Sequence, residues 1–101
     1  MPACVLVQVN IKDAEKLSAY SKAAGPTVEA HGGSFTMRAA AVETLTGESD
    51  FERFVVIEFP TLDAGTACFK SKEYNEAAAF RRANGAGEVQ TVVVESGDAT
   101  L

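Results

Sequence analysis

The sequence predicts an α+β fold in which the elements run β-α-β-β-α-β, and three observations carry the prediction. "ACVLVQVNI" at 3–11 and "RFVVIEF" at 53–59 are apolar runs rich in β-branched residues, the signature of strands. Stretches with helical spacing follow each half of that pattern, one through Leu17, Tyr20 and Ala24 and one from Leu62 to Ala78. Glycine-bearing breaks, Gly32-Gly33 and "NGAG" at 84–87, end the helices before the next strand begins.

The first strand spans 3–11. Asp13 then offers an N-cap for an amphipathic helix, because a short side-chain oxygen can accept one of the free N–H groups at a helix start. Gly25-Pro26 is expected to interrupt this helix, with a short continuation through Ala30. Gly32-Gly33 stops it, since glycine takes the left-handed conformation after a helix end without steric cost. "SFTMRAAAVETL" at 34–45 reads as the second strand, with Phe35 and Met37 on one face, Thr36 and Arg38 on the other, and a bulge at the triple alanine 39–41. "TGESD" is a turn, and the third strand closes at Pro60.

Thr61 caps the second helix, where Asp63 in the first turn suits the positive end of the dipole. That helix carries Leu62 and Phe69, pauses near Ser71 and resumes through Tyr74, Ala77 and Ala78. "EVQTVVVE" is the last strand. Residues 1–95 thus form a single ferredoxin-like α+β domain, a four-stranded antiparallel sheet with two helices on one face, and 96–101 a flexible tail.

Two helices cover only one face of such a sheet, and a face in water should carry polar residues at alternate positions. "CVLV", "FVVI" and "VVV" instead place apolar side chains on both faces. Leaving each of them wet forgoes about 1.5–3 kcal/mol relative to burial, so the open sheet face is expected to pack against a second copy in a two-fold homodimer. The competing expectation is a monomer whose helical tail folds beneath the sheet.

Composition narrows the function classes. The 101 residues are 47% apolar and 23% charged, with a net charge of −5. Phosphate-backbone binding needs clustered Lys and Arg, and paired strand aromatics are missing, so nucleic acid is not an expected partner. The nearest basic cluster, Lys70, Lys72, Arg81 and Arg82, is interleaved with Glu73 and Glu76 and reads as a solvated helix face. "MPACVLVQVNIKD" lacks the basic start and long apolar stretch of a signal peptide, and no run approaches the roughly 18 apolar residues of a membrane span. Cys4 and Cys68 have neither CxxC nor zinc spacing and read as buried free thiols in a reducing, cytoplasmic setting. No metal and no cofactor are expected, and no P-loop, dinucleotide fingerprint or Ser-His-Asp arrangement is present.

Several stretches together resemble the bacterial family known as domain of unknown function 1330, a branch of the dimeric α/β-barrel superfamily. They are Gly32-Gly33, Arg38, "VVIEFP" at 55–60, and the Ser71/Glu73-Tyr74 segment followed by Arg81. The chain departs from the family's habits at Ser34, where a basic residue is usual, and at Ala39-Ala40, where two glycines are common. It also has Cys68-Phe69 and Lys72 where an aromatic pair and then a proline are favoured. The resemblance implies the fold and the dimer. Superfamily relatives include small monooxygenases, isomerases and decarboxylating enzymes that work in the cleft between sheet and helices, an analogy of fold only.

Four residues are the candidates for chemistry. Arg38 and Glu58 are about equally far from a turn centred near Glu48, which predicts that they face each other across the second and third strands. That pair is either a cross-strand ion pair worth about 0.2–1 kcal/mol or a cleft in which Arg38 anchors an anion. His31, at the exit of the first helix, is either a helix-end residue or, near Glu58, a general base. Tyr74 could line a pocket and donate a hydrogen bond. The catalytic candidates are thus His31 and Glu58, and the substrate-binding candidates Arg38 and Tyr74. Two functions follow: a small cofactor-independent enzyme or binder of an acidic or carbonyl-bearing molecule, or a non-catalytic dimeric module for structure or protein interaction.

Overall fold

A computed structural model describes residues 2–39, 42–47, 51–85 and 87–95. Its elements run β1 (Ala3–Ile11), α1 (Ala14–Ala30), β2 (Ser34–Ala39), β3 (Arg53–Phe59), α2 (Leu62–Lys70), α3 (Lys72–Ala83) and β4 (Gly87–Glu95). The strands form one sheet in the order β2-β3-β1-β4, and every neighbouring pair is antiparallel. The predicted α+β topology holds, with the second helix divided at Ser71. The expected tail at 96–101 lies outside the described residues.

Local chemistry sets the boundaries. Asp13 accepts from the Lys16 amide and Thr61 from the Ala64 amide, each satisfying a free donor of a first turn. Ser71 does two jobs. It ends α2, and its hydroxyl accepts from the Tyr74 amide to start α3. Gly32 closes α1 at φ 84°, a left-handed backbone that glycine adopts freely.

Two expectations need correction. Helix α1 passes through Gly25-Pro26 without a break. The residue before a proline is normally driven out of the helical region because its Cβ meets the proline ring, and Gly25 has no Cβ. Burial of Ala24, Thr27 and Val28 on either side compensates for the one backbone hydrogen bond that Pro26 cannot donate. Strand β2 is also shorter than predicted. It ends at Ala39, residues 42–47 are in neither helix nor strand, and the expected bulge at 39–41 falls largely outside the described residues.

The bulge lies instead at Thr36, between Phe35 and Met37. Its hydroxyl donates to the Val56 carbonyl. The extra residue reverses the alternation beyond it. Phe35 pairs with Ile57 and Arg38 with Val55, both on the helix side, whereas Met37 pairs with Val56 on the open side. The expected sharing of a face by Phe35 and Met37 is therefore wrong.

On the helix side, Phe35, Ile57, Val5 and Val93 form one row across all four strands. Val5 and Ile57 join Val28, Phe59 and Cys68 in the core. A second cluster, Ala24, Tyr74, Ala77 and Ala78, ties α1 to α3, and Phe69 packs against both clusters. On the open side, Met37, Val56, Leu6 and Val92 form an apolar row across the sheet. Met37 is 52% and Val92 42% exposed in the single chain. Of the two cysteines, Cys68 is fully buried as expected, while Cys4 is only partly so. Among the described residues, no helix is long and apolar enough to cross a membrane.

Candidate functional site

A cavity of about 270 Å³ lies between the helix layer and the sheet. That is at the small end of the roughly 300–1,000 Å³ usual for small-molecule sites. Its walls are mostly apolar, with Val7, Val9 and Ile57 from the sheet and Leu17 and Val28 from α1. Two arginines, Arg38 from β2 and Arg53 from β3, are the only charged side chains among the described residues lining it. Two tyrosines, Tyr20 from α1 and Tyr74 from α3, face it from the helix side. A wider depression of about 470 Å³ outside the α1–α3 seam is shallower and carries Glu73, Glu76 and Phe80.

The arginines reach the cavity by strand parity. Arg53 shares its face with Val55, Ile57 and Phe59, and the Thr36 bulge puts Arg38 on that same face opposite Val55. The two are therefore diagonal neighbours across adjacent strands. Neither belongs to an ion pair among the described residues. The Arg38 guanidinium stacks over the Phe35 ring, 4.3 Å from its centroid. Stacking holds the planar fork in place and leaves its N–H edges free for a carboxylate.

The tyrosine hydroxyls are 2.8 Å apart, with the rings edge to face at 74°. Phe69 packs edge-on against Tyr74 at 4.6 Å between centroids and fixes that ring's angle. Burial and the neighbouring Tyr74 push the ionisation of Tyr20 well above its usual range, against an opposing pull from Arg81. Tyr20 is thus protonated at neutral pH.

Of the four residues proposed from sequence, Arg38 and Tyr74 meet at this cavity. Glu58 does not face Arg38: it pairs with Ser34, in the open-face row with Cys4 and Val94. The expected Arg38–Glu58 pair is absent because the true register sets Glu58 three residues beyond Arg38's partner, and on the opposite face. His31 is the C-cap of α1 and does not line the cavity. Its Nδ1–H donates to the Thr27 carbonyl at 2.8 Å, an acceptor also approached by the Cys68 thiol at 3.8 Å. The helix-end reading of His31 describes its position.

Three polar residues went unrecognised in the sequence. Arg53 was legible from parity alone, two and four residues from apolar Val55 and Ile57. Tyr20 enters the sequence pattern only through the helical spacing of Leu17, Tyr20 and Ala24. Arg81, assigned to a solvated face, is 6% exposed, and its guanidinium carbon lies 4.9 Å from the centroid of the Tyr20 ring. It stands seven residues after Tyr74, two turns along the same side of α3.

Among the described residues, no group of three or more His, Cys, Asp or Glu side chains could hold a metal ion. The family described as Domain of unknown function (DUF1330) matches residues 2–96. The chain is a DUF1330 protein. A DUF1330 architecture of this kind is similar to the crystal structure of RPA0582, a protein of unknown function from Rhodopseudomonas palustris, at 20% identity. That match covers 97% of this chain and 84% of the other, with a TM-score of 0.74. SnoaB from Streptomyces nogalater, described as a cofactor-independent oxygenase, is similar at 14% identity and a TM-score of 0.63, covering 97% and 95%. A protein from Bacteroides fragilis described as dimeric, with a ferredoxin-like fold, is similar at 14% identity and a TM-score of 0.51, covering 94% and 96%. These likenesses show that this DUF1330 chain has the ferredoxin-like fold. No curated protein matches the sequence.

Proposed function

We propose that this DUF1330 protein binds, and by one route transforms, a small organic anion with an apolar body in the cavity between sheet and helices. One observation carries this reading. In a chain with a net charge of −5, the only charged side chains among the described cavity residues are Arg38 and Arg53, both unpaired. An apolar pocket with a few convergent polar groups is the usual form of a small-molecule site. Arg38 anchors the acid, and Tyr74 offers a hydrogen bond to a second oxygen. The fold is shared with a protein described as a cofactor-independent oxygenase, and the proposed chemistry likewise runs without a tightly bound cofactor. His31 and Glu58 stand away from the cavity within one chain, so this reading gives neither of them the substrate.

The working assembly is a homodimer joined through the open sheet face, in the cytoplasm, without nucleic acid or membrane. The apolar row Met37, Val56, Leu6 and Val92 supports the dimer, as does the fold's likeness to a protein described as dimeric.

The test is a thermal-shift screen of small acidic metabolites against wild type and Arg38→Ala. A ligand at about 100 times its dissociation constant stabilises the native state by about 2.7 kcal/mol. A hit lost in the variant supports the reading. No hit from a broad library, with the dimer intact in both proteins, would leave a non-catalytic dimeric module as the better account.

A further inference from the structure

Arg38 and Arg53 face the cavity from adjacent strands as two like charges without a counter-charge. Neither takes part in an ion pair among the described residues. An arginine stays charged at any ordinary pH, so their repulsion is not relieved by loss of a proton. The chain has 14 acidic side chains, yet none of those described is paired with either arginine. Glu52, beside Arg53 in sequence, is engaged elsewhere: its Oε1 accepts from the Ile11 amide at 3.3 Å.

The ladder register spaces these charges. On the helix side of the sheet, successive rows hold Phe35 opposite Ile57, Arg38 opposite Val55, and then Arg53 opposite Val9. Rows on one face are two residues apart, about 6.5 Å along a strand. The Arg38 guanidinium stacks 4.3 Å from the Phe35 centroid, and Phe35 stands in the row away from Arg53. The stack thus holds the Arg38 fork back from its neighbour. A carboxylate seated bidentately on one fork leaves the other guanidinium without a partner. Two acid groups on one body satisfy both.

We infer that the cavity takes an organic diacid, with one carboxylate on Arg38, the second on Arg53 and a compact apolar spacer between them. The inference rests on reading the cavity as a ligand site and deepens it by naming the substrate class. Arg53 becomes the specificity-determining residue. It distinguishes two acid groups from one, a discrimination that the apolar walls of Val7, Val9 and Ile57 do not supply. A volume of about 270 Å³ suits a spacer of one ring or a few carbons. Both arginines are exposed, so the discrimination is modest beside that of a buried polar site.

The experiment is calorimetric titration of the full chain with isophthalate and with its monomethyl ester, which keeps the body and removes one charge. Glutarate and monomethyl glutarate repeat the comparison on a flexible spacer. Salt at about 0.15 M screens charges away from the site. Wild type should bind each diacid about tenfold more tightly than its ester. Arg53→Gln should bring that preference close to unity. Arg53→Lys should restore part of it, since the charge returns without the planar fork. Arg53 is exposed and unpaired, so both variants should keep the wild-type circular dichroism. Equal binding of diacid and ester by wild type overturns the inference and leaves the anion site standing. A preference that survives Arg53→Gln does the same. Failure of all four probes to bind sinks the ligand site and this inference together.

Discussion

The Arg38 guanidinium and the Phe35 ring, 4.3 Å apart, occupy the same face of β2 although three positions separate them in the chain. Arg38 is an exposed side chain, and its stacking is worth about 0.5–1 kcal/mol in such a setting. Arg38→Ala should therefore change the free energy of unfolding by no more than about 1 kcal/mol, as read by urea denaturation. Ligand binding in the same variant should fall far more, and Arg38→Lys should recover only part of it, because an ammonium lacks the planar fork. Equal losses of stability and of binding would mean that Arg38 is a structural residue.

Gly33→Ala should be strongly destabilising. A Cβ at this buried position would stand 2.6 Å from Val28 Cγ1 and 2.8 Å from the Phe59 ring, both of them core side chains. Overpacking of this kind costs about 1–3 kcal/mol, and each kcal/mol lowers the Tm of a domain this size by about 4–8 °C. A calorimetric Tm within a degree of wild type would show that α1 and β3 separate more easily than their packing implies.

The sheet's outer face makes a separate prediction. Leu6 is flanked by Val56 and Val92 in the central row, so Leu6→Lys places a charge in the middle of the proposed interface. Sedimentation velocity should report a dimer for wild type and a monomer for the variant, with helix content unchanged by circular dichroism. A wild-type monomer across the micromolar range would remove the dimer from the proposal.

Alkaline pH should weaken the fold through Cys68. Burial pushes its thiol up to about 11 from 9.0. Between those values the unfolded chain has released a proton that the native chain still holds, so stability is full below about pH 9 and declines as pH rises toward 11. Tyr20, also raised, has the same sign and extends the decline above its usual 10.0. Comparing urea unfolding at about pH 8 and about pH 10.5, Cys68→Ala should lose less than wild type, by on the order of 1–2 kcal/mol. Equal declines in both proteins would assign the alkaline arm to other groups.

Much of the architecture was legible because its determinants are local. The β-branched run at 3–11 marks β1 to the residue, and Asp13, Thr61 and Ser71 advertise their caps through their own side chains. Features decided by the third dimension were not. A bulge leaves no compositional trace, so the side taken by Arg38 depended on an insertion that only the strand partner reveals. Gly25-Pro26 looks like a break until the missing Cβ is considered together with the burial of Ala24 and Val28. Arg81 stands among lysines and glutamates and looks solvated. Only the packing of α1 on α3 puts it behind Tyr20. Tyr74 and Arg38 were recognised singly, and it is the cavity that joins them.

The single extra residue at Thr36 acts as a toggle on the parity of the strand beyond it. Were β2 to run regularly through Thr36 with no bulge, the next two side chains would swap destinations, sending a guanidinium to the sheet's outer surface and a methionine into the cavity. The proposed ligand charge preference and the proposed subunit association, which look like independent traits, are thereby coupled to one irregularity of the ladder. A lineage could not drift in one without being tested by selection on the other.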